Sequence, residues 1–83
     1  MFYIYVLKSQ KDGNLYIGSS GDLKTRVKAH NSGKVRSTKG RKPLVLVYYE
    51  SYLTKTEARG KENFYKSGVG RRLLKEKLEK MEG

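Results

Sequence analysis

Residues 2–18 read FYIYVLKSQKDGNLYIG, two short apolar stretches on either side of a polar turn. The first stretch, residues 2–7, is rich in aromatic and branched side chains and is apolar at both parities, which is typical of a strand covered on two faces. Asp12-Gly13 is a turn signal, and Leu15-Tyr16-Ile17-Gly18 predicts a second strand that returns antiparallel to the first. We therefore expect a β-hairpin here.

Tyr5 and Tyr16 are expected on one face of this hairpin. Cross-strand partners point to the same side of a sheet, so pairing Leu7 with either Tyr16 or Gly18 places odd positions of one strand beside even positions of the other. Both registers bring the two phenols onto a common surface. Gly18 has no side chain and leaves that surface open beside Tyr16.

A helix is predicted after the hairpin, capped by the serine or aspartate of residues 20–22. Leu23 and Val27 are four residues apart and form its apolar stripe. Arg26 and His30 have the same spacing and project beside that stripe, at the expected boundary between core and solvent. Side chains at such a boundary can be both anchored and accessible.

Residues 31–42 predict a mobile basic loop, in which Val35 is the only apolar residue. Its positive side chains suit contact with phosphate groups. The loop residues that we expect to bind nucleic acid are Lys34, Arg36, Lys39, Arg41 and Lys42.

A third strand is predicted at residues 44–49, where apolar and β-branched residues follow one another without interruption. A continuous run of this kind favours a buried strand. We therefore expect Tyr48 and Tyr49 to belong to the core.

Two more helices are predicted in the rest of the chain. Residues 54–57 have the form of a capping box, so one helix begins there and runs to the Ser67-Gly68 break. Glu62 shares a stripe of this helix with inward-pointing residues, where a charge is costly unless something pairs with it. The last helix has an apolar stripe of Leu74, Leu78 and Met81, and a basic face on which Arg71 and Arg72 are expected to contact nucleic acid.

Composition points to a polyanionic partner. Nineteen Lys and Arg against eight Asp and Glu give a formal net charge of +11 in 83 residues. An excess of this size gives sequence-independent affinity for nucleic acid through counterion release, although a merely basic surface would have the same composition. The chain has no cysteine, which excludes disulfides, thiolate zinc sites and a cysteine nucleophile, and favours a cytoplasmic location. We expect one domain over residues 1–83 and no membrane segment.

Several of these residues, in this order, resemble the GIY-YIG nuclease superfamily. The resemblance rests on Tyr3-Ile4-Tyr5, Leu15-Tyr16-Ile17-Gly18-Ser19, Arg26, His30 and Glu62-Asn63-Phe64-Tyr65. Within the superfamily the chain is most similar to small stand-alone bacterial proteins that are like an excinuclease domain. Tyr3 stands where the first motif of the family has its namesake glycine, a position that carries no chemistry.

The resemblance implies an α+β fold, a three-stranded antiparallel sheet flanked by about three helices. It implies a metal-dependent endonuclease that hydrolyses phosphodiester bonds in DNA, selects substrate structure rather than sequence, and acts in repair or recombination. Glu62 would hold one Mg²⁺ or Mn²⁺ ion, and Arg26 would bind the phosphoryl oxygens. Tyr5 or Tyr16 would act as or orient the general base, and His30 would relay a proton or orient a tyrosine.

The chemistry of a tyrosine base is demanding. A free phenol has a pKa of about 10, and lowering it by about three units requires about 4 kcal/mol of preferential stabilisation of the phenolate. The metal, Arg26 and neighbouring basic side chains are the groups that would supply it.

Each residue also has an ordinary structural interpretation. The tyrosines would be strand aromatics, Arg26 and Glu62 a structural ion pair, and His30 a helix-surface residue. Glu57 competes with Glu62 for the metal, although the capping box explains Glu57 without chemistry. The corresponding alternative function is a non-catalytic, basic nucleic-acid-binding module that keeps the nuclease fold.

Overall fold

The computed structural model describes residues 1–82. The elements follow in the order β1 (Phe2–Ser9), β2 (Leu15–Ser20), α1 (Leu23–Asn31), a 3-10 turn (Lys39–Arg41), β3 (Leu44–Tyr52), α2 (Lys55–Lys66) and α3 (Gly68–Glu82). β1 is the central strand, and β2 and β3 lie antiparallel on either side of it. The predicted α+β fold, a three-stranded antiparallel sheet with three helices, is confirmed.

The hairpin adopts one of its two expected registers. Leu7 lies opposite Tyr16, and Tyr5 lies opposite Gly18. The two phenols therefore share a face, as predicted, with ring centroids 6.5 Å apart. A Cβ atom at position 18 would lie 2.5 Å from the hydroxyl oxygen of Tyr5, so the absence of a side chain there is what gives this phenol its place.

The sheet has a core on each face. Ile4, Val6 and Ile17 face α2 and α3, which contribute Tyr65 and Leu74 among others. On the opposite face, Tyr5, Leu7 and Leu44 are buried together with partly buried side chains of α1. β1 is thus covered on both sides, as its apolar residues at both parities predicted.

The prediction of a buried third strand is wrong, because β3 is an edge strand. Val45 is 45% exposed and Tyr49 54% exposed, so Tyr49 is a surface residue, whereas Tyr48 packs against the core beneath α2 and α3. The apolar run of β3 predicts burial on two faces. In the fold, the nine-residue α1 contacts β3 but leaves Tyr49 uncovered.

The helices begin at the caps that the sequence predicts. The Asp22 side chain accepts a hydrogen bond from the Thr25 amide at the start of α1, and Thr54 accepts one from the Glu57 amide at the start of α2. The stripe predicted for α3 ends at Leu78, because Met81 lies beyond the core and is 63% exposed. Within residues 1–82, no helix is long and apolar enough to cross a membrane.

The basic segment 31–42 is anchored to the fold, contrary to the expectation of a mobile loop. Val35 and Thr38 are buried, and a 3-10 turn follows them. The Asn31 side chain donates to the Leu44 carbonyl and accepts from the Leu44 amide, both at 2.8 Å. These contacts tie both ends of the segment to the sheet, while its lysines stay exposed.

Glu50 of β3 ties α2 and α3 to the sheet. Its carboxylate accepts hydrogen bonds from the hydroxyls of Tyr48, Tyr52 and Tyr65 and lies 3.4 Å from the Lys77 ammonium. Burial alone would raise the pKa of Glu50, but the phenol hydrogen bonds and Lys77 outweigh it and lower the pKa to about 2. The cluster therefore holds an ionised acid between helix and sheet.

This cluster predicts acid-sensitive folding. A carboxyl group whose pKa is about 2 in the folded protein and 4.5 in the free side chain stabilises the fold above pH 4.5 and loses that contribution as the pH falls towards 2. The loss is on the order of 3 kcal/mol. We expect urea unfolding of Glu50→Gln to show that much less change between pH 6 and pH 2 than the wild type. Equal pH dependence in both proteins would contradict this role of Glu50.

Candidate active site

A polar groove of about 350 Å³ opens at the free edge of β2. Its lining combines phenols from the hairpin, a guanidinium from α1 and polar side chains from α2. The lining residues are Tyr5, Tyr16, Gly18, Ser19, Arg26, Arg59, Glu62 and Asn63. Four of the five residues predicted for catalysis, Tyr5, Tyr16, Arg26 and Glu62, thus lie on one groove.

The edge position of β2 explains how two faces of the sheet meet in this groove. Tyr5 and Tyr16 belong to the face covered by α1, and the helix carries Arg26 on the flank nearest them. Ser19 points to the opposite face, towards α2, where its hydroxyl donates to Glu62 at 2.6 Å. Because β2 has no further strand beyond it, side chains from both faces reach the same opening.

Tyr5 belongs to a hydrogen-bonded chain with His30 and Thr38. The Tyr5 hydroxyl is 2.9 Å from His30 Nε2, and His30 Nδ1 is 2.7 Å from the Thr38 hydroxyl. Thr38 donates in turn to the carbonyl of Val35 at 3.4 Å, which leaves its oxygen to accept from His30. His30 therefore carries its proton on Nδ1, and its Nε2 accepts the proton of Tyr5.

Burial decides the charge state of this chain. It raises the pKa of the Tyr5 phenol, although Arg26, whose Nε donates to the phenol at 3.4 Å, acts in the opposite direction. Burial and the charge of Arg26 lower the pKa of His30, so the imidazole is neutral and able to accept a proton. The expectation that basic neighbours lower the pKa of the phenol is therefore not met for Tyr5 in the metal-free protein.

His30 does not lie at the boundary between core and solvent, as its helical spacing suggested. It is fully buried, and it is neither a surface residue nor part of the groove lining. The reason is that segment 31–42 folds back over the end of α1 and places Thr38 against the imidazole. Its place in the site is behind Tyr5.

Glu62 faces the groove as an ionised carboxylate. One oxygen accepts from Ser19, and the other accepts from Lys66, one turn later on α2, at 2.7 Å. Burial alone would raise the pKa of Glu62, but the hydrogen bonds from Lys66 and Ser19 outweigh it and lower the pKa. The alternative of a structural Arg26–Glu62 ion pair is not observed among the described residues.

The chemistry of the groove fits a hard divalent cation held by one carboxylate. Mg²⁺ binds oxygen ligands, keeps several waters and is commonly held by one or two carboxylates together with substrate phosphate. Glu62 is ionised and faces a polar opening, and the Lys66 ammonium is exposed enough to move away from it. Among residues 1–82, no three His, Cys, Asp or Glu side chains cluster as a closed metal site, so water and substrate would complete the shell.

Glu57, the competing ligand, lies outside the groove. It accepts a hydrogen bond from the Thr54 hydroxyl at 3.0 Å and belongs to the exposed first turn of α2. Its capping role accounts for its position.

None of the residues predicted to bind nucleic acid lines the groove. Lys34, Arg36, Lys39, Lys42, Arg71 and Arg72 are exposed on the surrounding surface, and their contact with phosphates stays a prediction. Arg41 differs from them, because its guanidinium is held 3.5 Å from Asp12 and donates to the Leu15 carbonyl. It joins the basic segment to the hairpin turn.

The sequence analysis assigned no role to several residues that complete the site. Ser19, Arg59 and Asn63 line the groove. Arg59 is three residues before Glu62 on α2, and this spacing on a helix is a signal that both side chains share a face. Thr38 left no such signal, because its contact with His30 depends on how a segment without regular periodicity folds back.

Comparison with known proteins gives a consistent result. The family model described as the GIY-YIG catalytic domain matches residues 1–76. A UPF0213 protein of Clostridium perfringens is 45% identical over 67 residues, covering 80% of this chain and 71% of the relative. A UPF0213 protein of Staphylococcus epidermidis is 42% identical over 74 residues, covering 88% and 89%.

A solved structure has the same fold. The solution NMR structure of a UPF0213 protein from Bacillus halodurans superposes with a TM-score of 0.55 at 36% identity, covering 89% of this chain and 82% of the other. The groove, the order of its residues and these likenesses agree, and the chain belongs to the GIY-YIG catalytic-domain family, a family of nucleases.

Proposed function

We propose that this protein is an endonuclease that uses Mg²⁺ or Mn²⁺ to hydrolyse phosphodiester bonds in DNA. The observation that carries the proposal is the meeting of Tyr5, Tyr16, Arg26 and Glu62 in one polar groove. These groups supply a cation ligand, an oxyanion clamp and a proton acceptor, which in-line hydrolysis needs together. Membership of a nuclease family supports nucleic acid as the substrate.

Glu62 and Arg26 would bind the scissile phosphate from two sides. Glu62 holds the divalent ion, which when bound neutralises charge on a non-bridging oxygen and on the departing 3′ oxygen. The Arg26 guanidinium donates to the remaining phosphoryl oxygens, where negative charge grows as the attacking water approaches. Its planar fork suits two such oxygens better than a lysine ammonium does.

Tyr5 would accept the proton of the attacking water. The proton of its own hydroxyl already points at His30 Nε2, so it can pass to the imidazole as the water proton reaches the phenol oxygen. No free phenolate has to form, which is consistent with the burial that raises the pKa of Tyr5. Tyr16 lies beside this path, with its ring centroid 4.9 Å from that of His30, and would orient the substrate.

The groove supports selection by substrate structure and not by sequence. Its lining consists of hydroxyl, guanidinium, amide and carboxylate groups at one small opening, which suits contacts with a phosphate and its sugar. The exposed basic side chains outside it would add sequence-independent affinity. A substrate with a distorted or branched backbone, as in repair or recombination, would present such a phosphate most easily.

Cleavage of plasmid and branched DNA by the purified protein tests the function. We expect nicking that requires Mg²⁺ or Mn²⁺ and stops with chelator. Salt-dependent binding without cleavage, unaffected by chelator, would instead support the basic binding module that a net charge of +11 permits.

Thr38 is expected to act on this reaction through the tautomer of His30. In Thr38→Val, His30 Nδ1 loses the hydroxyl that accepts its proton, so the Nε2–H tautomer gains population and can no longer accept from Tyr5. We expect kcat to fall on the order of 10²-fold with KM little changed. The ¹⁵N shifts of His30 should move towards the Nε2–H form.

Thr38→Ser is the matched control, since it keeps the hydroxyl. It should restore both the Nδ1–H signals and most of the activity. If Thr38→Val leaves the ¹⁵N shifts unchanged, Thr38 does not set the tautomer.

A further inference from the structure

A second groove, larger and less polar than the first, lies between α1 and β3. It encloses about 650 Å³. Tyr3 and Tyr49 form one wall, with ring centroids 6.1 Å apart in an edge-on arrangement, and Tyr49 is more than half exposed. The proposed hydrolysis uses neither ring. Leu23, Val27 and Leu46 form the floor.

The charges at this groove suit an anion. Lys24 and Lys28 lie on its rim, four residues apart on α1, and neither makes an ion pair within residues 1–82. Two like charges at this spacing repel each other, so an anion between them would be stabilising. Asp22, the acidic residue of the lining, is already engaged as the cap of α1 through Thr25.

The two grooves lie on opposite flanks of one helix. Arg26 projects to the catalytic flank, while Lys24 and Lys28 project to the other flank, beside Tyr49. A helix with its side chains is about 10–12 Å wide. A nucleic-acid strand whose phosphate lies at Arg26 therefore needs to cross only the width of α1 to reach Tyr49.

We propose that this second groove binds an unpaired nucleobase of the substrate strand, stacked on Tyr49, with its flanking phosphates held by Lys24 and Lys28. The inference rests on the proposed function, because it takes the strand at the catalytic groove to be nucleic acid. Aromatic faces bordered by positive side chains are the usual surface for unpaired bases, since every base has a stacking face. The second groove would thus hold the substrate beside the bond to be cut.

Binding in chelator tests this independently of cleavage. We compare a fluorescent oligothymidylate of about eight nucleotides with an abasic strand of the same phosphate count, using anisotropy. The wild type should bind the base-bearing strand about tenfold more tightly. Tyr49→Val, which keeps a strand-forming residue, should remove that preference, and Tyr49→Trp should retain it. A preference that survives in Tyr49→Val would overturn the proposal.

Three further comparisons locate the contact. Phe64, another partly exposed ring beside a lysine, serves as the control, and Phe64→Leu should keep the base preference. The double variant Lys24→Gln with Lys28→Gln should weaken both strands alike and reduce the slope of log Kd against log salt by about 1.4; an unchanged slope would exclude the lysines as phosphate ligands. If Tyr49→Val alters the mass of the free protein in sedimentation, the second groove is an interface between copies and the proposal is wrong.

These binding results are separable from catalysis. A protein that shows the base preference in chelator but never cleaves DNA would remove the proposed function and keep the nucleobase site. A protein that cleaves with metal but has no base preference would do the reverse.

Discussion

Glu62→Gln is expected to reduce metal-dependent DNA cleavage on the order of a thousandfold, corresponding to about 4 kcal/mol of transition-state stabilisation. The glutamine has nearly the same shape but gives the ion no anionic ligand. It can still accept from Ser19, and the lost contact with Lys66 is an exposed pair of one helix worth about 0.3–0.5 kcal/mol. The variant should therefore fold normally, which its thermal unfolding would verify.

Binding separates this role from a general loss of affinity. Removing a negative charge from the groove should leave DNA affinity in chelator unchanged or slightly higher. Glu57→Gln is the matched control, because it makes the same charge change on the same helix at an exposed cap outside the groove. Cleavage by Glu62→Gln at the rate of Glu57→Gln would remove Glu62 from the mechanism.

Local periodicity was sufficient for the parts of the site built on single elements. The pleat of a strand repeats every two residues, so the common face of Tyr5 and Tyr16 followed from the hairpin alone. Glu62 stood out because a carboxylate shared a stripe with inward-pointing residues of α2. Its position at a groove, with Ser19 as partner, agrees with that signal.

Features that depend on strand order could not be read from local pattern. The apolar run of β3 is compatible with a central or an edge strand, and only the pairing of β1 with both neighbours makes β3 an edge. The exposure of Tyr49, and with it the second groove, follows from that order. Glu50 was missed for a related reason, since its partners Tyr65 and Lys77 come from two later helices.

His30 shows the same limit within one site. Its helical position correctly placed it on the flank of α1 that faces Tyr5, yet its burial depends on segment 31–42, whose sequence has no regular periodicity. The chain of contacts from Thr38 to Tyr5 is therefore a product of tertiary folding. Spacing alone offered both a proton relay and an ordinary surface residue, and geometry favours the relay.

Gly70→Ala is expected to be the most destabilising of these substitutions, costing about 3 kcal/mol or more. α2 ends at Lys66 and α3 begins at Gly68, so the two helices meet at a sharp corner. An alanine Cβ at position 70 would collide with the backbone carbonyl of Phe64 and lie 2.8 Å from the Cα of Tyr65. Backbone atoms cannot rotate out of the way as a side-chain end can, so the corner itself has to open.

Opening that corner should disturb both faces of the site at once. α3 brings Leu74 to the core and Lys77 to Glu50, while Tyr65 anchors the same turn of α2 that follows Glu62. For a domain of this size each kcal/mol lowers Tm by about 4–8 °C, so we expect a fall of at least about 12 °C in differential scanning calorimetry. Gly68→Ala is the control, because its Cβ would enter open space on the same helix. A similar Tm in the two variants would show that close helix contact at Gly70 does not maintain the fold.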